Sequence, residues 1–567
     1  MLAVSSTAQP SFAQCLAPSQ QAAPTRLGAA TNFGQGWNLA TLRAAQDLGA
    51  LRLRDSLRWA QIEREKGIYR FDRPTSSYPD ALARAGLHLT LTLNWGNPLY
   101  DGGDTPHSPE ALAAFGRFAA AVVARFPAID ALEIGNEVNG ANFVKGPVLT
   151  EGLAHRAAYH LAMVAAAAKT VHEHRPDIVV LGGATHSLPG GFLWPLLERD
   201  TTHAIQGLTV HPYTTPIEQL PAQIGLVCQS PRTAVPPLYV TEFGSTSPER
   251  AADELVRSYA TLASLHAAEF DWYPLNPRGD RQIPLVTRSG KLTDAGRAFR
   301  FVQTHLAHQI ARDASPDAFT RIHAFGDKAW VLWGAPRTIH VGRSDLRAFD
   351  AVGRSLASTA LALTEDKPLI LLSPQAASAP PIKLGCSALL ADSLYQFDYP
   401  SPRRNRTSDP FERFVRLGDR QLAFTVMPGQ QRKGVPWTPY LGLEAYPGIR
   451  LDGTSLRPGF GAAEGSIVQR IALEGPRTIR LKIELRPQNT GGANFRLALR
   501  LGNRDLGHRQ INGDTTASYV LPVAGRESLE IALGAAPGSS PGATDYRIRL
   551  YDDGRCMSQT SASHRLR

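Results

Sequence analysis

The 567-residue sequence has no long apolar run, few cysteines and no concentrated block of charge. A stretch of about 18 apolar residues, long enough to cross a bilayer as a helix, is missing, so no helical membrane span is expected. The four cysteines, Cys15, Cys228, Cys386 and Cys556, stand far apart with no C-x-x-C pair, which argues against a zinc site or a dithiol redox motif. No other metal-ligand cluster replaces them, and neither metal nor cofactor is expected. No G-x-G-x-x-G turn follows the first apolar run, where a dinucleotide-binding sheet would need it. The formal net charge of +10 is spread over scattered arginines. With no binding motif beside it, that charge does not point to nucleic acid. A solvated basic surface accounts for it, and an acidic polysaccharide is the partner class it would favour.

The chain opens on "MLAVSSTAQPSFAQ", whose small-residue end is like a signal-peptidase site but which lacks a basic start and a proper apolar centre. Residues 1–25, Pro/Ala-rich and polar, are expected to be a disordered or signal-derived tail. Four sparse cysteines fit buried thiols or two disulfides. The expectation is a Cys386–Cys556 bond, with Cys15 and Cys228 less certain as partners, and with it export to an oxidising compartment, secreted or periplasmic.

From residue 26 one rhythm repeats. Short apolar runs, among them "LHLTLTL" (87–93), "IDALEIG" (129–135), "AIQGLTV" (204–210) and "PLYVTE" (237–242), alternate with stretches of helical spacing such as "SPEALAAFGRFAAAVVARF". Ser108-Pro109 and Ser247-Pro248 read as helix starts. Eight such repeats imply parallel strands joined by right-handed crossovers, the pattern of a closed (β/α)₈ TIM barrel, here over 26–308. Short strands follow over 309–372, a Pro/Ala-rich linker over 373–381, and then strictly alternating runs such as "TIRLKIEL" and "YRIRLYD". The alternation predicts a small β-subdomain and, over 382–567, a jelly-roll-like β-sandwich. Trp437, Tyr440 and Tyr446 are its candidate sugar-stacking aromatics, and Asn405, although in an "NRT" sequon, reads as a loop residue.

Active sites of such barrels lie at the C-terminal ends of the strands. Taken in order, those ends present Gln35, Arg54, Asn94 with Trp95, Asn136 with Glu137, His186, His211 with Tyr213, Glu242 and Trp272. Two carboxylates among amide, hydroxyl and guanidinium donors, with indole rings beside them, suit glycoside cleavage. Glu133, alternating with the mouth-facing positions, is expected to point away, and His155, His160, His172 and His174 are read as surface or satisfied core histidines.

The motifs "EIGNEVNG" after the fourth run and "YVTEFGST" after the seventh resemble the acid/base and nucleophile motifs of clan A glycoside hydrolases. "LRDSLRWAQIEREKGIYRFD" (53–72) and "VHPYT" (210–214) are similar to family 39 of that clan, and the likeness covers about residues 27–305. The resemblance implies a retaining glycoside hydrolase with Glu137 as general acid/base, Glu242 as nucleophile and Asn136 on the sugar 2-hydroxyl. Arg54 and Tyr213 are then the donors for Glu242, and Asn94, Gln35, Trp95, His211 and Trp272 are further substrate contacts. Burial and the nearby Glu242 are expected to raise the Glu137 pKa. The resemblance and the appended sandwich favour endo action on an extracellular or periplasmic polysaccharide. Exo-acting xylosidases and transglycosylases share these motifs, and a non-catalytic sugar-binding protein on the same fold is the competing class.

Overall fold

The computed structural model describes residues 23–556 except 229–234, 358–360, 397–409, 424, 427–442, 445–448, 453–454, 459–464, 489–493 and 536–542. Cys15, Asn405, Trp437, Tyr440, Tyr446 and most of the expected tail lie outside the described residues.

Eight parallel strands close into a barrel: β1 (Arg26–Ala30), β2 (Arg52–Ser56), β3 (His88–Leu93), β4 (Ile129–Ile134), β5 (Val179–His186), β6 (Gly207–His211), β7 (Leu238–Phe243) and β8 (Glu269–Trp272). Each pairs with its chain neighbour, and β1 closes against β8. Alternation sorts the side chains. On β4, Leu132 and Ile134 join the apolar layer beneath the helices, while Ala131 turns inward to pack on Leu181 and Tyr239 at the barrel floor. The helices between strands carry matching apolar faces. In the helix Pro109–Arg125 the Ser108 side chain accepts from Ala111 N and Pro109 opens the first turn, as the sequence signals. Ser247-Pro248 does not cap the next such helix, which runs Ala251–Ser264. The Ser247 carbonyl takes the amides of Arg250 and Ala251 in a preceding turn.

The small β-subdomain is a six-stranded sheet with a three-stranded one beside it. The expected linker 373–381 is a correction to the sequence reading. Ser373 and Ala377 donate their amides to Lys328 and Asp327, and the strand Ile382–Leu384 pairs antiparallel with Arg337–Val341. The subdomain therefore runs through Leu384, because the amides beside and between the prolines remain free to dock the segment.

Two six-stranded antiparallel sheets form the C-terminal sandwich, and the strands Gly465–Glu474, Arg477–Gln488 and Phe495–Leu501 alternate between them. In the strand Arg477–Gln488, Ile479, Leu481, Ile483 and Leu485 enter the core, while Arg480, Lys482, Glu484 and Arg486 share the outer face. Its neighbour Ala543–Tyr551 follows the same alternation. A disulfide joins Cys386 to Cys556, and Cys228 is also disulfide-bonded.

The sandwich is packed onto the barrel. Trp194 and Leu226, on the barrel helices Gly190–Arg199 and Leu220–Val227, belong to the sandwich's own apolar cluster. Arg547 and Arg549 reach Glu365 of the subdomain at 2.9 and 2.8 Å. Exposing large apolar side chains costs about 1.5–3 kcal/mol each, so deletion of residues 385–567 is expected to lower the melting temperature and cause aggregation on gel filtration. Equal melting temperatures for the truncated and full-length chains would mean that this contact carries no stability.

Candidate active site

The segment after β4 turns sharply at the barrel mouth. Gly135 has φ +85, and a Cβ there would meet Val138 Cγ1 at 2.6 Å. Glu137 itself sits at φ 44, a left-handed conformation that few non-glycine residues adopt. Arg156 holds the turn in place by donating to the carbonyls of Asn139 and Gly140. The backbone strain aims the Glu137 carboxylate across the mouth, a placement typical of functional sites.

Arg54 organises the floor. Buried, it donates from Nε to Glu133 at 2.8 Å, from Nη1 to Glu242 at 2.6 Å and from Nη2 to Asn136 at 2.8 Å. The Tyr213 hydroxyl donates to the other Glu242 oxygen at 2.8 Å. Asn94 acts one step back, accepting from the Asn136 amide at 2.9 Å while its own NH2 donates to the Phe143 carbonyl. His211 Nδ1 lies 3.3 Å from Glu137, and its Nε2 lies 3.2 Å from Thr241 Oγ1. One ligand atom each from Glu137, His211 and Glu242 falls within 4.8 Å of the others.

Glu133 is the functional residue that the sequence reading passed over. Alternation does turn it from the wall, but it turns into the barrel beneath the site rather than away from it. It is fully buried, and it accepts from Arg54, Thr92, Thr209 and Thr241 at 2.6–2.8 Å. The usable signal was a carboxylate inside an apolar strand with threonines on three other strands, since a buried charge demands such partners.

Burial would lower the His211 pKa, but the charge of Glu242 and bonds to Glu133 and Glu137 outweigh it and push the ring up to about 9. The expected rise for Glu137 is corrected by the same pair. Burial does raise it, yet the hydrogen bond and charge of His211 win and hold it below the ordinary range. The histidine is thus charged at neutral pH, and its stabilisation is complete below its ordinary 6.5 and lost as pH rises through about 9. The melting-temperature difference between wild type and His211→Asn is expected to be largest near pH 6 and to vanish above that upper value. A difference independent of pH would overturn the assignment.

Although Glu137, His211 and Glu242 could each offer a metal one ligand, a protonated imidazole and the Arg54 guanidinium bound to Glu242 both oppose a cation there.

A cavity of about 1140 Å³ opens above these groups, with Glu137, His186, Tyr213, Glu242 and Tyr273 on its barrel side. Of the sequence candidates, Glu137, His186, Tyr213 and Glu242 line it, whereas Arg54 and His211 bond Glu242 and Glu137 without lining the cavity, and Asn136 and Asn94 lie one and two bonds behind Arg54, also off the wall. The other three lie elsewhere. Gln35 is exposed and accepts from Arg278. Trp95 is half-buried, with the Arg58 guanidinium 4.9 Å from its ring centroid. Trp272 is fully buried and donates to the Ile283 carbonyl, because alternation on β8 turns Asp271 into the barrel and the indole out beneath the helices. The next residue, Tyr273, takes the wall position and donates to Asp280.

No family model and no curated relative matches the chain. Among solved structures it is similar to a family 39 glycoside hydrolase from Bacteroides cellulosilyticus WH2, with a TM-score of 0.51 at 19% identity over 62% of this chain and 81% of that one. The fold is the shared feature. A family 39 β-xylosidase from Caulobacter crescentus aligns at TM-score 0.47 and 14% identity over 63% of this chain and 98% of that one. A family 30 endoxylanase from Clostridium papyrosolvens C71 gives 0.45 and 12% over 62% and 96%.

Proposed function

We propose that this chain is a retaining glycoside hydrolase that cleaves within a polysaccharide chain. The observation that carries the reading is the pair Glu137 and Glu242, with carboxylate oxygens within 4.8 Å across a large polar cavity. Retaining enzymes hold their carboxyls about 5–5.5 Å apart, and inverting enzymes leave about 6.5–9.5 Å for a water. Arg54 and Tyr213 fix Glu242 from two sides, which suits an attacking oxygen that must not wander. Among the described residues Glu137 has one hydrogen-bond partner, His211, which suits a group that must gain and lose a proton.

In the first step a Glu242 oxygen bonds to the anomeric carbon as the glycosidic C–O bond breaks, and Glu137 gives its proton to the departing oxygen. In the second, Glu137 takes a proton from water, whose oxygen attacks the same carbon and releases Glu242. Glu137, held below its ordinary pKa in the free protein, takes up from solvent in the cavity the proton it gives, while the His211 ring beside it holds its carboxylate in place. The cavity's size supports binding of several sugar units, and the disulfides support an oxidising compartment outside the cytoplasm.

The test is a polysaccharide panel with product sizing, followed by NMR of the first-formed anomer. Internal cleavage with retained configuration is expected. An inverted first product would refute the double displacement, and binding without turnover would make the chain a sugar-binding protein.

A further inference from the structure

The cavity is not formed by the barrel alone. Its far wall is the outer face of two neighbouring sandwich strands, presenting Lys482, Glu484 and Arg486 from one and Asp545, Arg547 and Arg549 from the other. The register sets these side by side, Lys482 opposite Arg549, Glu484 opposite Arg547 and Arg486 opposite Asp545. In an antiparallel sandwich the outer polar face ordinarily meets bulk water. Here it meets the space above Glu137 and Glu242.

Most of the cations on this cavity are already neutralised. Arg547 bonds Asp392 and Glu365, Arg549 bonds Glu365 and Glu484, Lys482 bonds Glu484 at 2.7 Å, and Arg257 bonds Glu218. A polyanion therefore finds no concentrated positive field. What the wall offers instead is closely alternating donors and acceptors, the arrangement that matches vicinal hydroxyls. Some of that capacity is unused. Arg486 is exposed to the cavity and makes no ion pair or hydrogen bond with any described residue, and Gln282 Oε1, across on the barrel side, is buried without a donor. A buried acceptor without a partner is costly, so it marks where a ligand donor fits.

We infer that this sandwich face is a distal glycan subsite of the catalytic cavity, taking neutral, polyhydroxylated sugar units through Arg486, the Lys482–Glu484 pair and, opposite them, Gln282. The inference rests on the proposed hydrolase reading for its catalytic end but names a different set of residues. The substrate chain lies between barrel and sandwich, and the sandwich acts as part of the site rather than as a tethered binding module. The net positive charge of the whole chain then reflects its other surfaces and does not select an acidic substrate.

Isothermal titration calorimetry on the full chain tests this without needing turnover. The probes are xylotetraose, cellotetraose and mannotetraose, with tetragalacturonate as the anionic comparator, each titrated into a Glu242→Gln protein and into that protein carrying Arg486→Ala or Arg496→Ala. Arg486 has no bonded partner among the described residues, and Arg496 lies exposed on the other sheet of the sandwich, so a melting curve identical to the parent's is the check on folding for both. Binding of at least one neutral tetrasaccharide is expected, weakened about ten-fold by Arg486→Ala, the effect of one lost charge-assisted hydrogen bond, and unchanged within two-fold by Arg496→Ala. Undiminished binding by Arg486→Ala, tighter binding of tetragalacturonate than of every neutral probe, or binding of none of the four would overturn the proposal. Failure of the hydrolase reading has another signature, absence of turnover in the unaltered protein while these affinities stand.

Discussion

Glu242→Ala is expected to lower turnover of every glycoside by about 10⁴-fold or more, since no glycosyl ester can form without the attacking carboxylate. The loss is not one of folding. Glu242 is half-buried at the mouth, and its removal frees one Arg54 nitrogen that still has Glu133 and Asn136 as neighbours. The space left is open to the cavity, so azide is expected to enter it and attack the anomeric carbon from the same side, giving a glycosyl azide of inverted configuration. Measured kcat with and without azide, and NMR of the azide product, check both parts. Retention of turnover within ten-fold of wild type would remove Glu242 from the nucleophile role.

Glu137→Ala is expected to behave differently because its role depends on the leaving group. With a sugar alcohol departing, loss of the general acid lowers kcat/KM by about 10²–10⁴-fold. A dinitrophenolate needs no proton, so a dinitrophenyl glycoside should still form the ester on Glu242 quickly. Without a base to activate water the ester then accumulates, visible as a burst of dinitrophenolate followed by a slow steady state and as a mass increase on the Glu242 peptide. Azide should accelerate that slow phase and give the retained anomer, opposite to its product with Glu242→Ala. If the two variants exchanged these signatures, the two roles would be reversed.

Much of the fold was legible because it follows from short-range periodicity. Parallel strands buried on both faces appear as brief apolar runs, and the helices between them as longer amphipathic stretches. "LEIG" and "YVTE" could be placed at strand ends, and Asn136, Glu137 and Glu242 at the mouth, because a barrel sends every strand end to one rim. The same logic failed at Trp272, where one residue of register decides between wall and core, and at Gln35, which sits on a connection whose path no periodicity encodes. The linker 373–381 was misjudged for a related reason. Its composition reads as open chain, but its amides find carbonyls contributed by a distant hairpin.

The sequence by itself determined the barrel, the disposition of the two carboxylates on its rim and the alternating strands of the sandwich, since each depends on spacing within a few residues. The tertiary structure alone decided three things. Glu133 is a buried anchor because threonines from three other strands converge on it. Glu137 is held below rather than above its ordinary pKa because a charged His211, itself held up by Glu242 and Glu133, reaches it through space. The polar face of the sandwich becomes a wall of the cavity above Glu137 and Glu242 because Trp194 and Leu226 dock that domain at one particular place on the barrel. Each is a matter of which distant groups meet, and electrostatic and hydrogen-bonding energies depend on those distances, about which the order of residues along a chain is silent.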